Sequence, residues 1–203
     1  MTYLAEDIIK ESIKEFKAEQ SRRRRHHVEK MINYYMGQNT DQYIDEYFSA
    51  DTFREVQLYK INITKKFIDK LAGVYRNAPR RKVGGTYDNP RYEGLVHKKN
   101  LRLKHIERMT RLLDVIALNV SFDEQTEKIN YQPIYYFDAY FDQLNPKEPI
   151  AVIYPMLQPT DDLSYSDDVM FCYFDNERKL IYDSDGNIIE EIPHSYGVLP
   201  FVF

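Results

Sequence analysis

Apolar residues recur at helical spacing through the first 116 residues and at strand spacing afterwards. Thr2 can cap a long first helix carrying Leu4, Ile8, Ile13 and Phe16. Its stripe resumes at Val28, Met31, Ile32 and Tyr35, and Gly37 is a reasonable stop. A second helix starts at "TFRE", where Thr52 and Glu55 have capping-box spacing. Phe53, Val56, Ile63, Phe67, Leu71 and Val74 are its expected buried stripe, and Ala78 before Pro79 ends it. Gly84-Gly85 marks the following loop. A third helix is expected from Asn89 as cap and Pro90 in the first turn, with Leu103, Ile106, Met109, Leu113 and Ile116 as its apolar face.

Beyond that point the spacing becomes strand-like. "ALNVSF" and "KINYQPIYYF" flank the polar turn "DEQTE", a hairpin signal. "IAVIYPML" is an apolar run bounded by Pro149 and Pro155, and "DVMFCYFD" and "RKLIYD" read as further strands. "SDGN" then turns the chain into "IIEEI". The order predicts an α+β protein, with long N-terminal helices followed by mostly antiparallel strands and hairpins. The expected division is a helical part, 1–116, and a β-rich part, 117–203. The final run "HSYGVLPFVF" is strongly apolar at Val198, Leu199, Phe201, Val202 and Phe203, and these side chains are expected to need partners later in the chain.

Composition narrows this picture. A chain of 203 residues with 43% apolar content can bury one good core. No apolar run approaches the roughly 20 residues of a membrane span, and "MTYLAEDIIKES" is not patterned as a signal peptide. Cys172 is the single cysteine. It cannot form an internal disulfide, which favours a reducing compartment and a core role for this residue. The net charge of −4 conceals an asymmetry. Residues 1–111 hold 24 Lys and Arg against 15 Asp and Glu, or +9, whereas residues 112–203 hold 4 against 17, or −13. Such a split suits a protein that meets charged partners or copies of itself, and equally two solvated surfaces.

Candidate chemistry is sparse. The sequence lacks a Gly-x-Gly-x-x-Gly, a phosphate-binding loop, a His-Glu-x-x-His and a Gly-x-Ser-x-Gly elbow. No catalytic residue, metal or cofactor is therefore expected. "DSDGNIIEE" shares part of a calcium-loop pattern, but Asp183 at position 1 puts Gly186 at position 4 and Asn187 at position 5, which fits a β-turn instead. "TDDLSYSDD" reads as a solvated acidic loop, with hard-cation binding as its alternative. In "SRRRRHHVEK", Arg22, Arg23, Arg24 and Arg25 point around most of a helix circumference. They could be a solvated surface, phosphate contacts, or a salt-bridged interface. His26 and His27 are adjacent and do not share a helix face as a metal pair would.

Several stretches, taken in order, resemble a known family. "NYYMGQ" contains Tyr34, Tyr35 and Gly37. "KINITKKFIDKLAGVYRNAPRRKV" contains Asn62, Gly73 and Pro79. The late His-x-Tyr-Gly-x-x-Pro element contains His194, Tyr196, Gly197 and Pro200. This order resembles the N-terminal, mainly wing-region portion of the portal proteins of tailed bacteriophages. The β region here has no tryptophan, which some relatives carry. The resemblance implies a subunit of a twelve-fold ring at one capsid vertex, a head-tail connector through which double-stranded DNA enters and leaves. It implies contacts with the major capsid protein, a tail adaptor and the terminase, a place in the virion, no membrane, and no hydrolysis by the ring itself. It also implies that the stem, the clip and further helices follow in a longer chain.

In such a ring, Arg22–Arg25, Lys98, Arg102 and Arg108 could face Asp161, Asp162, Asp167 and Asp168 of a neighbour, or DNA phosphates. Two other classes remain. One is another virion structural or adaptor protein. The other is a metal-dependent nuclease using Asp175, Glu177, Asp183 and Glu190, with Lys179 nearby.

Overall fold

The computed structural model describes residues 4–39, 62–73, 82–87, 90, 99–123, 125–142, 144–159 and 168–203. Thr2, Thr52, Phe53, Glu55, Val56, Val74, Ala78, Pro79, Asn89, Lys98, Asp161, Asp162 and Asp167 lie outside the described residues. The chain is α+β, with helices preceding mostly antiparallel strands. Among the described residues the helices are α1 (Glu6–Lys17), α2 (Glu19–Met36), α3 (Ile63–Leu71) and α4 (Asn100–Leu113). A two-residue hairpin, β1 (Lys82–Val83) and β2 (Thr86–Tyr87), precedes α4 and turns at Gly84-Gly85.

Among the described residues eight strands follow: β3 (Ala117–Asp123), β4 (Lys128–Ile134), β5 (Asp138–Phe141), β6 (Pro149–Pro155), β7 (Phe171–Phe174), β8 (Arg178–Tyr182), β9 (Ile188–Pro193) and β10 (Phe201–Val202). They form an antiparallel five-stranded sheet in the order β5-β6-β7-β8-β9 and a three-stranded sheet in the order β10-β3-β4.

The chain resolves into two compact units, and they do not follow the 1–116 and 117–203 division. One unit joins residues 1–28 to 115–203, and the other is 29–114. The reason lies in α1. Its Ile9, Ile13 and Phe16 are buried against Tyr136, Ile153, Phe171, Tyr173, Leu180 and Tyr182 of the later chain. Phe16 meets Tyr136 edge-on at 5.2 Å between ring centroids and Phe171 at 5.7 Å. Within this unit the N-terminal helix therefore belongs to the sheet. The expected continuous first helix is also broken: Ala18 is extended (φ −64°, ψ 152°) between α1 and α2. No glycine or proline marks that break.

The other face of the large sheet is buried too. Val152, Tyr154, Cys172 and Phe174 pack with Ala117, Ile134 and Phe201. Strands buried on both faces read as unbroken apolar runs rather than alternating ones. That accounts for "AVIYP" in β6 and "FCYF" in β7, every residue of which is buried. The terminal apolar run supplies β10, in which Phe201 pairs with Asn119 and packs edge-on against Phe174 at 5.2 Å. Phe203 is half-exposed and lies against Phe137 and Phe141 at 5.7 and 6.1 Å.

The "SDGN" turn joins β8 to β9. Asp183 Oδ1 accepts the N–H groups of Asp185 and Asn187 at 2.9 and 2.8 Å. Gly186 is required there twice over. Its φ is +82°, and a Cβ would sit 3.2 Å from Lys10 Cγ on α1.

In the 29–114 unit, one expectation is corrected. Ile63, Phe67 and Leu71 of α3 are exposed, and the buried side of the helix carries Ile68 and Ala72 instead. The helix is turned by its polar anchors. Asn62 caps it by accepting the Lys65 N–H at 2.7 Å, and Asp69 pairs with Arg108 of α4 at 2.8 Å. These contacts set the 68/69/72 side inward.

The doubly covered sheet buries phenols, and this gives a pH signature. Burial pushes the Tyr182 phenol up to about 12 and raises those of Tyr154 and Tyr173 as well. In the unfolded chain these phenols ionise near 10. Their contribution is fully present below about pH 10 and is lost as pH rises through the folded values, because the unfolded state then releases protons that the native state keeps. Thermal melts at stepped pH should show stability falling steeply above about pH 10. A melting temperature that stays flat through pH 11 would contradict the burial.

Candidate functional site

The arginine run is the largest concentration of charge in the sequence, and the structure divides it. Arg22 and Arg23 are exposed on α2. Arg24 Nη1 donates to Asp138 Oδ1 at 2.9 Å, and its guanidinium lies 4.8 Å from the Tyr136 ring and 5.7 Å from that of Phe16. Arg25 is only 7% exposed. Its Nη1 donates to the Leu157 carbonyl at 2.7 Å, and its Nη2 to that of Gln158 at 3.0 Å. A buried cation needs such acceptors.

Arg25 is thus held inside its own chain, which corrects its expected place on an interface or on DNA. Gln158 completes the anchor. Its Oε1 accepts the Tyr135 and Tyr136 N–H groups at 3.0 Å each, and its Nε2 donates to the Pro155 carbonyl at 2.7 Å. Nothing in the local sequence singles out Gln158; its role follows from the turn that brings β6 back toward α2.

Of the remaining predicted contacts, Arg102 is exposed on α4 and Asp168 is exposed just before β7. Arg108 is half-buried and ion-paired to Asp69. Burial, together with the nearby Arg108 and Arg102, lowers the pKa of His105.

Several of the described motif positions meet at two joints. At the first, Asn62 Nδ2 donates to the Tyr35 carbonyl at 2.9 Å, and the Tyr35 hydroxyl donates to Asp69 Oδ1 at 3.1 Å. Burial first, and then Asp69, raises the pKa of the Tyr35 phenol. Gly37 ends α2 at φ +72°, and a Cβ there would stand 3.2 Å from Asn62 Nδ2. Tyr34 is half-buried, and Gly73 is exposed just past the end of α3.

The second joint is built on Asp175, which is 2% exposed. Its Oδ1 accepts the N–H groups of Glu177 and Arg178 at 2.9 Å each, and its Oδ2 accepts Arg178 Nε at 3.3 Å. The His194 N–H donates to the Glu177 carbonyl at 2.7 Å, and His194 Nε2 lies 3.1 Å from the Asp175 carbonyl. A carbonyl only accepts, so Nε2 carries the proton. The His194 ring stacks on Tyr196 at 4.8 Å. Gly197 has φ +67°, and the Pro200 carbonyl accepts the Val120 N–H at 2.8 Å and Asn119 Nδ2 at 3.3 Å. The His-x-Tyr-Gly-x-x-Pro segment therefore links the β7–β8 turn to β3.

The acids considered for a nuclease site have separate tasks. Both Asp175 oxygens are occupied within the β7–β8 turn. Asp183 shapes the β8–β9 turn, where hydrogen bonds from Asn187 hold its carboxyl below the usual range. Glu190 lies exposed on β9, and Lys179 Nζ sits 5.7 Å from the Phe174 ring centroid. Among the described residues, no group of three His, Cys, Asp or Glu side chains is placed to hold a metal ion. The Cys172 thiol is buried beside the Tyr154 hydroxyl, and burial raises its pKa.

No protein-family model matches the chain, and no curated protein matches it.

The two joints predict different mutational responses. Asp175→Ala leaves two part-buried N–H groups and Arg178 without their acceptor and should destabilise by about 1–3 kcal/mol. Gly37→Ala forces a side chain into a left-handed conformation and should cost about 1–2 kcal/mol. Urea denaturation of each variant checks both values.

Proposed function

We propose that this chain is the wing-region part of a tailed-bacteriophage portal subunit, the head-tail connector that forms a ring at one capsid vertex for DNA packaging and ejection. The observation that carries the reading is the order of three motif elements along the chain: Tyr34-Tyr35-x-Gly37, then Asn62 with Gly73 and Pro79, then His194-x-Tyr196-Gly197-x-x-Pro200. Supporting it, Tyr35, Gly37 and Asn62 meet at one joint, and His194 and Pro200 anchor another. In both joints the motif residues do architectural work through caps, turns and backbone acceptors.

On this reading the chain assembles into a ring of twelve in the virion, and double-stranded DNA passes through its centre. The major capsid protein, a tail adaptor and the terminase are its partners. The charge split serves subunit contact, with Arg22, Arg23 and Arg102 as basic members and Asp168 as an acidic one. Each subunit of a closed ring meets its two neighbours through different surfaces, and opposite patches orient that contact. The ring hydrolyses nothing.

Negative-stain images of the purified protein test the reading. Rings with a central hole are expected, and uniform compact particles without a hole would overturn it. Incubation with plasmid DNA and Mg²⁺ separates the enzymatic alternative. Cutting that disappears in Glu190→Ala or Asp183→Ala would favour the nuclease.

A further inference from the structure

The three-stranded sheet turns an apolar face away from the large one. Phe201, Ala117 and Ile134 pack with residues of the large sheet, so by the pleat their strand neighbours point the opposite way. The register lines those neighbours up in three cross-strand rows: Val202–Leu118–Pro133, Val120–Tyr131 and Phe122–Ile129. No charged residue is among them. Phe122 and Val202 are 45% and 58% exposed, and the other five are half-buried. An antiparallel sheet packed on one side commonly carries polar residues on the other. A contiguous apolar outer face instead marks an interaction surface.

A second apolar face is exposed on α3. Ile63, Phe67 and Leu71 are 72%, 61% and 48% exposed. At 100° per residue they form one narrow stripe, with Lys66 and Lys70 along one side. Successive members of the stripe are about 6 Å apart at the helical rise. Leu118, Val120 and Phe122 are about 6.8 Å apart along β3. Three helical side chains can therefore meet three rows with little accumulated mismatch. A helix laid on a sheet is a standard pair of layers. With its side chains a helix is about 10 Å across, which covers three strands at their roughly 4.8 Å spacing.

Charge selects the occupant. Residues 1–28 and 115–203, the unit that holds the sheet, carry 11 Lys and Arg against 21 Asp and Glu, or −10. Residues 29–114, the unit that holds α3, carry 17 against 11, or +6. Sheet against sheet would join two acidic units, and α3 against α3 two basic ones. Helix on sheet joins opposite charges.

We propose that α3 of one copy of this chain docks on the outer face of the β10-β3-β4 sheet of a second copy, with Ile63, Phe67 and Leu71 lying along Leu118, Val120 and Phe122. The two surfaces differ, so the contact is head-to-tail. Each pair keeps one unused α3 and one unused sheet face, and association continues until a ring closes or a filament grows. The inference deepens the ring reading and rests on it only for the closure of these contacts into a ring.

Thiol crosslinking tests the contact. Cys172 is the single cysteine and is buried, so introduced thiols report on the surfaces that carry them. Phe67→Cys places one on α3, and Phe122→Cys places one on the sheet. The full chains are treated with a short bismaleimide. Mixed in equal amounts, the two variants should give crosslinked dimers, whereas each alone should not, because its thiol meets a surface that has none. A chain carrying both changes should crosslink into dimers, trimers and longer ladders. Adding Ile63→Asp to the Phe67→Cys chain should cut the mixed dimer by about tenfold or more, since the burial of a large apolar side chain is lost.

Thermal melts check that folding is retained. If either variant lowers the melt, Leu71→Cys and Val202→Cys repeat the comparison. A mixture without crosslinked dimers overturns the inference. So do dimers formed equally by one variant alone, which would mean that like faces meet. A doubly substituted chain that crosslinks only within itself also overturns it, as does a yield indifferent to Ile63→Asp. If images show rings but the mixed variants do not crosslink, the docking fails and the ring reading stands. If ladders form but images show only open chains, the docking stands and the ring reading fails.

Discussion

The burial of the central strands β6, β7 and β8 from both sides is the constraint on which the rest of the first unit depends. A sheet buried on one face only would let alternate positions stay polar. Here α1 covers one face through Ile9, Ile13 and Phe16, and the small sheet covers the other through Ala117, Ile134 and Phe201. Each large side chain removed from water contributes about 1.5–3 kcal/mol, so the two layers together supply a core that neither could supply alone. The cost is connectivity. The first helix must return to strands more than a hundred residues later, and the 29–114 unit is inserted between them in sequence. The start of α2 is held to this core by polar contacts, with Arg24 on Asp138 and Arg25 on the Leu157 and Gln158 carbonyls.

The motif residues act on the scale just above that core. Asp175 organises the β7–β8 turn, His194 attaches the following segment to it, and Pro200 presents its carbonyl to β3. The small sheet is thereby tied to the large one at both ends of the His-x-Tyr-Gly-x-x-Pro element. Asn62 does comparable work in the other unit, capping α3 with one side-chain atom and fixing the Tyr35 carbonyl with the other. Such joints hold shape through caps, turns and backbone acceptors.

The strands were legible because their signals are local. Apolar runs bounded by prolines gave β6, a Gly-containing turn separated β8 from β9, and Asp123 closing on the Gln125 and Thr126 N–H groups made the β3–β4 turn. The misses are tertiary. A helix broken at Ala18 carries no breaker residue, and the break lies two residues past the buried Phe16. The apolar stripe of α3 at Ile63, Phe67 and Leu71 has the spacing of a buried face, whereas Asn62 and Asp69 turn that face outward. Arg25 could not be told from Arg22 by composition, since burial depends on carbonyls contributed by residues 157 and 158.

Hydrogen exchange measured strand by strand, with and without Phe16→Ala, tests the doubly covered sheet most directly. The account predicts that amides of β6, β7 and β8 exchange only through global opening, while those of the edge strand β9 exchange far sooner. It also predicts that Phe16→Ala lowers protection in all three central strands by one common amount, about 3–5 kcal/mol. Central strands that exchange as fast as β9, or a loss confined to the residues touching Phe16, would contradict it.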